Sequence, residues 1–398
     1  MAAVATVRPH HLSQLNERSV LRILQARGPC SRAEVTRHMK ATAPTVSKAV
    51  SSLLDSGLIE ESAARQNGRG RPAKTLRLAT TSAQVLGLVI DAGHCRAVAA
   101  GLDGRLHEET TTSFPTPGDY AQLIRTAAER LGQLAQRDSV RTLGLGISMP
   151  GLIDDGAKRG LLSPNLAITN GHQPGRDLSS ALRLPAVLLQ ESHALCLAER
   201  HFGMACDRDD FAILDASTGM GLGVMLGGRL LKGQRGLAGE IGHLPIEPNG
   251  PRCGCGRRGC LETLASGTAL ARLCSRRRRR AIDIGELFEL HRARRLSVKR
   301  ELAQVGRHLA FALATVINLF DPSMLLVHGR MFDLDRKLFD RIVRRARQIA
   351  LKPSVDRCQI GRAHTSKRQG AVAGIIEHLT DARIETVEQR ADALLLGR

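Results

Sequence analysis

The chain has 398 residues, 42% of them hydrophobic and 24% charged, which is enough for two or three packed domains and too apolar for a wholly disordered protein. Its formal net charge of +20 favours a polyanionic partner, nucleic acid before membrane. It has no Trp and one Tyr, which disfavours binding to single strands by base stacking.

The sequence also indicates the cellular compartment of the protein. No apolar run approaches the roughly 20 residues that cross a membrane, and the N-terminus has no apolar signal-peptide core. We therefore expect a cytoplasmic protein with no membrane partner. Nine cysteines, three of them clustered between residues 253 and 260, favour a metal site over disulfides in a reducing compartment.

The sequence changes character along the chain, which predicts domains. Residues 1–15 are expected to be a flexible lead-in. Residues 16–80 are predicted to form a DNA-binding domain of three helices followed by an Arg- and Gly-rich wing, and residues 81–398 an α/β domain.

The first two helices have clear boundaries. Ser19–Arg27 carries apolar residues at helical spacing and is stopped by Gly28-Pro29. Ser31 has a glutamate three residues on, which is the capping-box spacing, and this second helix is predicted to run to about Met39.

A third helix begins at Thr42-Ala43-Pro44, with Pro in its first turn, and ends at Gly57. Its apolar residues, Val46, Val50, Leu53 and Leu54, share one face and are predicted to pack on the first two helices. Small hydroxyls and one lysine occupy other faces and are predicted to enter a DNA major groove: Thr45, Ser47, Lys48, Ser51 and Ser52.

A strand is predicted to start at Leu58-Ile59-Glu60 and lead into a wing over residues 67–74. The wing reads Asn-Gly-Arg-Gly-Arg-Pro-Ala-Lys, and Arg69 and Arg71 suit a narrow minor groove. The alternative interpretation is a small helical protein-interaction bundle with a basic linker.

Strands and helices alternate after residue 85, which predicts α/β layers. The predicted strands are Val85–Asp91, Leu143–Met149, Ala186–Gln190, Phe211–Asp215 and Met324–His328. The predicted helices are Tyr120–Arg137, Ser192–Phe202 and Ser297–Phe320. A run of arginines, Arg276–Arg280, interrupts this pattern and is interpreted as a solvated loop.

Two glycine-containing turns follow predicted strands and suit phosphate. Asp91 could hold Mg²⁺ while Gly93 lets backbone N–H groups approach phosphate oxygens. Thr218, Gly219 and Gly221 form a second candidate cradle, which lacks the Walker A ending. The alternative for this second turn is a tight hairpin without a ligand.

Four soft donors lie in a glycine-rich segment: His243, Cys253, Cys255 and Cys260. Three thiolates and an imidazole are the ligands of a closed structural zinc site, so the segment predicts bound zinc, the alternative being reduced surface cysteines. Asn165, Glu240 and Glu262 carry the amide and carboxylate groups that hydrogen-bond sugar hydroxyls.

The motifs Gly239-Glu240-Ile-Gly-His243 and Cys253-Gly-Cys-Gly-x-x-Gly-Cys260-Leu-Glu262 resemble those of the ROK family of sugar-responsive repressors and sugar kinases. The phosphate turns and Met149–Asp154 occur in the family's order, so the resemblance covers nearly the whole chain. The winged helix resembles that of the regulator branch.

The resemblance implies an actin-like, ribonuclease-H-like two-lobed ATPase fold that binds sugar between its lobes, zinc on His243 and the three cysteines, and a sugar site lined by Glu240, His243 and Glu262. Asn165 matches another sugar-side position.

Other positions depart from the kinase pattern. Gln190 and Glu191 stand where the kinases have Asn-Asp, so Glu191 occupies the position of the general base on a longer side chain. His94 replaces a Thr of the first phosphate turn, and Gly329-Arg330 replaces a Gly-Gly pair, which puts a cation where the nucleotide would lie. We therefore assign no catalytic residue.

Together these features predict a zinc-containing regulator, a repressor of sugar uptake or catabolism genes. It is expected to bind a double-stranded operator as a homodimer or dimer of dimers and to respond to a sugar or sugar phosphate. One alternative is an active sugar kinase using ATP and Mg²⁺ with an appended DNA-binding domain. Another is control by a protein partner, for which Arg276–Arg280 is the candidate surface.

Overall fold

The computed structural model describes residues 9–62, 74–136 and 140–380. The strands are, in chain order, β1 (Cys30–Ser31), β2 (Ile59–Ser62), β3 (Thr75–Leu78), β4 (Ala83–Val89), β5 (His94–Ala100), β6 (Thr112–Pro115), β7 (Arg141–Met149), β8 (Leu152–Asp154), β9 (Arg159–Leu162), β10 (Ala186–Gln190), β11 (Phe211–Asp215), β12 (Gly221–Leu226), β13 (Arg229–Leu230), β14 (Met324–His328) and β15 (Gln359–Arg362).

The α-helices are α1 (Pro9–Arg27), α2 (Arg32–Met39), α3 (Ala43–Asp55), α4 (Tyr120–Ala135), α5 (Pro174–Leu182), α6 (Glu191–Phe202), α7 (Glu262–Ala265), α8 (Gly267–Arg278), α9 (Ile284–Arg292), α10 (Lys299–Phe320), α11 (Leu338–Ile349) and α12 (Lys352–Arg357). A further helix covers residues 367–380. The chain divides into two compact units, the first made of residues 1–149, 174–189 and 367–398 and the second of residues 150–173 and 190–366.

The first unit begins with a winged helix-turn-helix. Helices α1, α2 and α3 combine with a small sheet of order β1-β3-β2, whose strand β1 lies between α1 and α2 in the chain. Ser31 caps α2 in a full capping box with Glu34, as predicted, and Thr42 is the N-cap of α3. Residues 63–73, between β2 and β3, include Arg69 and Arg71 and lie outside the described residues.

One prediction for this region is wrong. Residues 9–15 were expected to be a flexible lead-in, but α1 starts at Pro9. Gln14 and Glu17 are buried although they are polar. Because polar residues occupy these core-facing positions, the sequence lacks the regular spacing of apolar residues by which a helix is predicted.

The same unit contains a five-stranded sheet of order β10-β7-β4-β5-β6, in which β4 pairs parallel with β7 and antiparallel with β5. Strand β4 is buried along its whole length, which explains its nearly continuous apolar sequence.

A joint links the winged helix to this sheet. The carboxylate of Glu60, on β2, accepts hydrogen bonds from Thr80, Thr81 and Ser82, including a 2.7 Å bond from the Ser82 hydroxyl, and pairs with Arg77 at 2.8 Å. Residues 80–82 connect β3 to β4, so a single side chain of the DNA-binding domain fixes the connection to the sheet.

The second unit contains a five-stranded sheet of order β13-β12-β11-β14-β15 and a hairpin of β8 with β9. Helix α10 supplies eleven buried residues to this unit and forms the centre of its apolar core. By length and composition alone this helix could cross a membrane, but 56% of its most apolar 18-residue window is buried inside the protein, as in a core helix.

The arginine run is exposed, as predicted, but most of it is helical and not a loop. Helix α8 continues to Arg278, and Arg279 ends it in the left-handed conformation with φ of 54°. Arg277 donates to the carbonyl of Ser297 and Arg278 to the carbonyl of Arg295. The run therefore holds the segment between α9 and α10.

Candidate metal centre and ligand site

The zinc-binding segment predicted from sequence folds as a tight loop in the second unit. Gly239 has φ of +98°, and a Cβ there would lie 2.0 Å from the carbonyl oxygen of Leu222 on β12. Gly259 has φ of +63°, and a Cβ there would lie 1.5 Å from the carbonyl oxygen of Glu247. Only glycine fits either position, so these glycines bring the ends of the loop against the rest of the unit.

The loop brings together the four predicted metal donors, whose ligand atoms all lie within 4.8 Å of one another. The Cys255 and Cys260 sulfurs are 3.7 Å apart, and Cys253 Sγ is 3.5 Å from His243 Nδ1. Tetrahedral Zn–S bonds of about 2.3 Å place two sulfurs about 3.8 Å apart. The donors thus have the chemistry and spacing of a tetrahedral zinc site before any ion is added.

The imidazole of His243 faces two ways. Its Nδ1 points to Cys253, and its Nε2 lies 3.6 Å from a carboxylate oxygen of Glu240. A metal-binding histidine commonly directs its other nitrogen to a carboxylate, which fixes the ring and its tautomer. His243 can therefore connect a metal to the candidate sugar residues.

Those candidate residues converge on His243. Glu262, the first residue of α7, has an oxygen 3.7 Å from His243 Nδ1. Gln190 Nε2 lies 3.5 Å from Glu240 Oε1. Burial, aided by the nearby Glu262 charge, raises the pKa of Glu240 to about 7. Two carboxylates, an amide and an imidazole form one polar cluster suited to sugar hydroxyls.

Two other sugar-side positions are less closely joined to this cluster. Glu191 is the first residue of α6 and is half-buried. Asn165 is exposed, but its neighbour Pro164 lies against the metal loop, since a Cβ on Gly254 would come within 2.4 Å of Pro164 Cβ.

His193 on α6 was not among the predicted site residues, although it adjoins the segment compared with the kinases. Its Nε2 lies 3.2 Å from the carbonyl oxygen of Ala238, two residues before Glu240. Burial lowers the pKa of His193 to about 4, so the ring is neutral at pH 7 and positions the backbone that carries Glu240. Its place three residues after Gln190 was the available signal.

The second glycine-rich turn joins β11 to β12, which pair antiparallel with Asp215 opposite Gly221. The turn is therefore a hairpin, and it also lies beside the polar cluster: a Cβ on Gly219 would be 3.2 Å from a Glu262 oxygen. The Thr218 carbonyl accepts a 2.7 Å hydrogen bond from Thr268 on α8.

Asp215, at the end of β11, pairs with His328 Nδ1 at 2.8 Å and also accepts a bond from the Ser217 hydroxyl. The Asp215 carboxylate is therefore hydrogen-bonded to two side chains of the protein itself.

Arg330, the residue that replaces the second glycine of the kinase pair, is anchored. Its guanidinium carbon lies 4.5 Å from the centre of the Phe288 ring on α9, a cation–π contact. Gly329 before it has φ of +151°, and a Cβ there would be 2.9 Å from the Ala216 carbonyl oxygen. The backbone at Gly329 thus lies close to that of the glycine-rich turn, whereas the Arg330 guanidinium lies against α9.

The first phosphate turn belongs to the first unit, where it connects β4 to β5. The Asp91 carboxylate accepts a 2.7 Å bond from the N–H of Ala92, and its carbonyl accepts one of 2.6 Å from Thr116. Gly93 is exposed.

The residues of α3 that are predicted to contact DNA lie on its exposed or partly exposed faces. Ser47, Lys48 and Ser51 are exposed, and Thr45 is half-buried with its hydroxyl 2.9 Å from that of Thr42. The opposite face is buried through Val46, Ala49, Val50 and Leu53, whereas Leu54 is only partly buried.

Known proteins resemble the chain over both parts. Residues 87–377 match the ROK family and residues 14–70 the MarR family. The N-acetylglucosamine repressor of Escherichia coli O6:H1 is 26% identical, covering 83% of this chain and 84% of that protein. The xylose repressor of Bacillus subtilis is 25% identical (81% and 84% covered), and the transcriptional repressor Mlc of Escherichia coli K12 is 27% identical (93% and 95% covered).

Solved structures of ROK family proteins also resemble this chain. A ROK family transcriptional regulator described as a homologue of Escherichia coli Mlc has a TM-score of 0.78 at 26% identity, with 94% of this chain and 98% of that chain covered. The ROK hexokinase of Thermus thermophilus has a TM-score of 0.62 at 31% identity, with 74% and 98% covered. The chain therefore belongs to the ROK family and carries a MarR-type winged helix at its N-terminus.

Proposed function

We propose that this protein is a cytoplasmic transcriptional repressor of sugar uptake or catabolism genes, released from its operator by a sugar or sugar phosphate. The observation that carries the proposal is that one chain contains both an exposed helix of the DNA-binding type, α3, and the Glu240–His243–Glu262 cluster. The cluster keeps the residues that suit sugar hydroxyls, whereas the positions that serve catalysis in the kinases are altered.

On the DNA side, Lys48 would contact phosphate and Thr45, Ser47 and Ser51 base edges, with Arg69 and Arg71 of the wing in the minor groove. One such helix covers only a half-site. A homodimer or dimer of dimers would present paired helices to a pseudo-palindromic operator, and a sugar would act by favouring the arrangement whose helices no longer match its spacing.

On the sugar side, Glu240 and Glu262 would accept hydrogen bonds from sugar hydroxyls. His243, Cys253, Cys255 and Cys260 would hold a zinc ion whose contribution is structural: it would keep the loop closed and the imidazole oriented. Gln190 already lies beside Glu240 and would complete the polar wall.

Two features argue against sugar phosphorylation. Glu191 has a longer side chain than the aspartate it replaces, and general-base catalysis depends on placement to within about 1 Å. Arg330, held on Phe288, occupies the position of a glycine beside the nucleotide in the kinases. Binding can survive these changes, because loss of a base affects the transition state more than the ground state.

A sugar panel that includes N-acetylglucosamine and xylose, which are named in the relatives, tests the proposal by thermal shift and by coupled ADP release. We expect at least one sugar to raise the melting temperature without ADP release, and Glu191→Ala to change its affinity only modestly. Turnover at an ordinary kinase rate, about 1–100 per second, that Glu191→Ala abolishes would establish a kinase instead. No stabilisation by any sugar would favour a protein effector.

A further inference from the structure

The second unit contains an open cavity of about 1060 Å³ between the end of α9 and the first turns of α10 and α11. Its floor is apolar and rigid, since Leu296, Val298, Leu302 and Leu334 are all at least nine-tenths buried in the core. None of the lining residues belongs to the metal loop or to either phosphate turn. The cavity is therefore separate from the sugar site.

The rim of this cavity is strongly cationic. Its charged side chains are Arg292, Arg294, Lys299, Lys337 and Arg341, opposed by Asp335 alone. Asp335 is engaged, since it pairs with Arg341 at 2.6 Å and accepts a 2.9 Å bond from the N–H of Lys337. In the described part of the chain the side chains of the other four cations have no ion-pair partner. Like charges gathered around a concavity repel one another, and an anion placed among them would relieve that repulsion.

Backbone dipoles add to this field. The N-termini of α10, 22 residues long, and of α11, 12 residues long, both border the cavity, and neither N-cap residue supplies a capping side chain. The positive ends of two helices thus lie at the edge of the space that the cations surround.

Hydrogen bonds and an ion pair from the arginine run fix the wall of the cavity. Arg277 and Arg278 of the arginine run donate to the carbonyls of Ser297 and Arg295, and Arg277 also pairs at 3.3 Å with buried Glu301 on α10. Ser297 lines the cavity. A wall fixed in this way needs little ordering when a ligand binds, which distinguishes the cavity from a mobile basic surface.

We propose that this cavity is a second ligand site, for a small metabolite that carries phosphate groups on an uncharged body. Its volume slightly exceeds the usual range for small-molecule pockets, about 300–1000 Å³, so a ligand of ordinary size has room. The cations and helix termini would bind the phosphate oxygens, and the apolar floor would contact the body. The inference does not depend on the sugar site or on the operator.

Isothermal titration of the full zinc-loaded protein at low ionic strength tests it, with pyrophosphate and a hexose bisphosphate as probes. We expect saturable binding, tighter for the bisphosphate, that falls at least tenfold in the double variant Lys299→Ala and Lys337→Ala, because hydrogen bonds to charged groups are strong. The matched control is Arg300→Ala with Arg336→Ala, which removes the same charge from neighbouring positions that do not line the cavity.

Other outcomes would overturn the proposal. Equal losses in the two double variants would mean that only net charge matters. If neither probe bound in a saturable way, the cavity would not be a ligand site. If an acidic peptide or non-operator duplex bound in competition with the probes, and more tightly, the cavity would be a macromolecular docking site instead.

Discussion

Replacement of Glu60 by Gln should loosen the joint between the winged helix and the first sheet. Burial alone would raise the pKa of Glu60, but hydrogen bonds from Ser82, Thr80 and Thr81 outweigh it and lower this pKa to about 2. The side chain is only 12% exposed, so solvent screens these contacts weakly.

The magnitude follows from proton linkage. A carboxyl whose pKa falls from an ordinary 4.5 to about 2 in the folded protein contributes about 3 kcal/mol to the free energy of unfolding. This contribution is fully present above pH 5 and is lost as the pH falls toward 2. Gln preserves the shape and some of the hydrogen bonds, so we expect Glu60→Gln to cost about 2 kcal/mol at pH 7. At pH 3 the difference from the wild type should shrink, since part of the wild-type contribution is already lost.

Hydrogen exchange at the joint measures this without assuming that the whole chain unfolds together. The N–H of Ala79 bonds to Leu58 and that of Leu102 to Ala79, so both report opening. We expect their protection to fall roughly 30-fold in Glu60→Gln at pH 7. Glu61→Gln is the control, because Glu61 pairs with Arg32 and Lys74 within the winged helix. Equal losses in both variants, or a loss independent of pH, would refute the reasoning.

Three further predictions concern DNA, metal and nucleotide. Arg69→Ala with Arg71→Ala should reduce the slope of log DNA affinity against log salt concentration by about two, as measured by fluorescence anisotropy. An unchanged slope would show that the wing arginines do not contact DNA phosphates. Cys255→Ser should purify without zinc by mass spectrometry, whereas Cys274→Ser, a buried thiol outside the cluster, should retain one ion per chain; zinc in both would refute the site. Arg330→Gly should bind a non-hydrolysable ATP analogue more tightly than the wild type by titration calorimetry, and equal affinities would show that this cation does not obstruct nucleotide.

Local patterns predicted much of the fold. Strands β10, β11 and β14 have the predicted bounds, because short aliphatic runs between polar residues define them. The capping box at Ser31 also formed as its spacing indicates. Several other bounds shifted by one or two residues: β4 begins and ends earlier than Val85–Asp91, and α10 starts at Lys299 rather than Ser297. The start of α1 shifted furthest, from Ser19 to Pro9.

Contacts between distant residues could not be predicted in this way. The metal donors lie close together in sequence, so their spacing alone indicated the site. The pairing of Gln190 with Glu240 spans 50 residues, and that of Asp215 with His328 spans 113. The partners of Arg277 and Arg278 follow from packing of α8 against the segment before α10, so an isolated run of arginines gave no sign of them.

We expect sugar bound at Glu240 to release the protein from DNA without being phosphorylated. The most direct measurement is anisotropy of labelled DNA from beside the protein's own gene, titrated with the sugar that stabilises the protein. We predict that wild-type protein binds and is released, that Glu240→Ala binds but is not released, and that Lys48→Ala binds at least several-fold more weakly from the outset. Release of Glu240→Ala at the same sugar concentration as wild type would contradict the account.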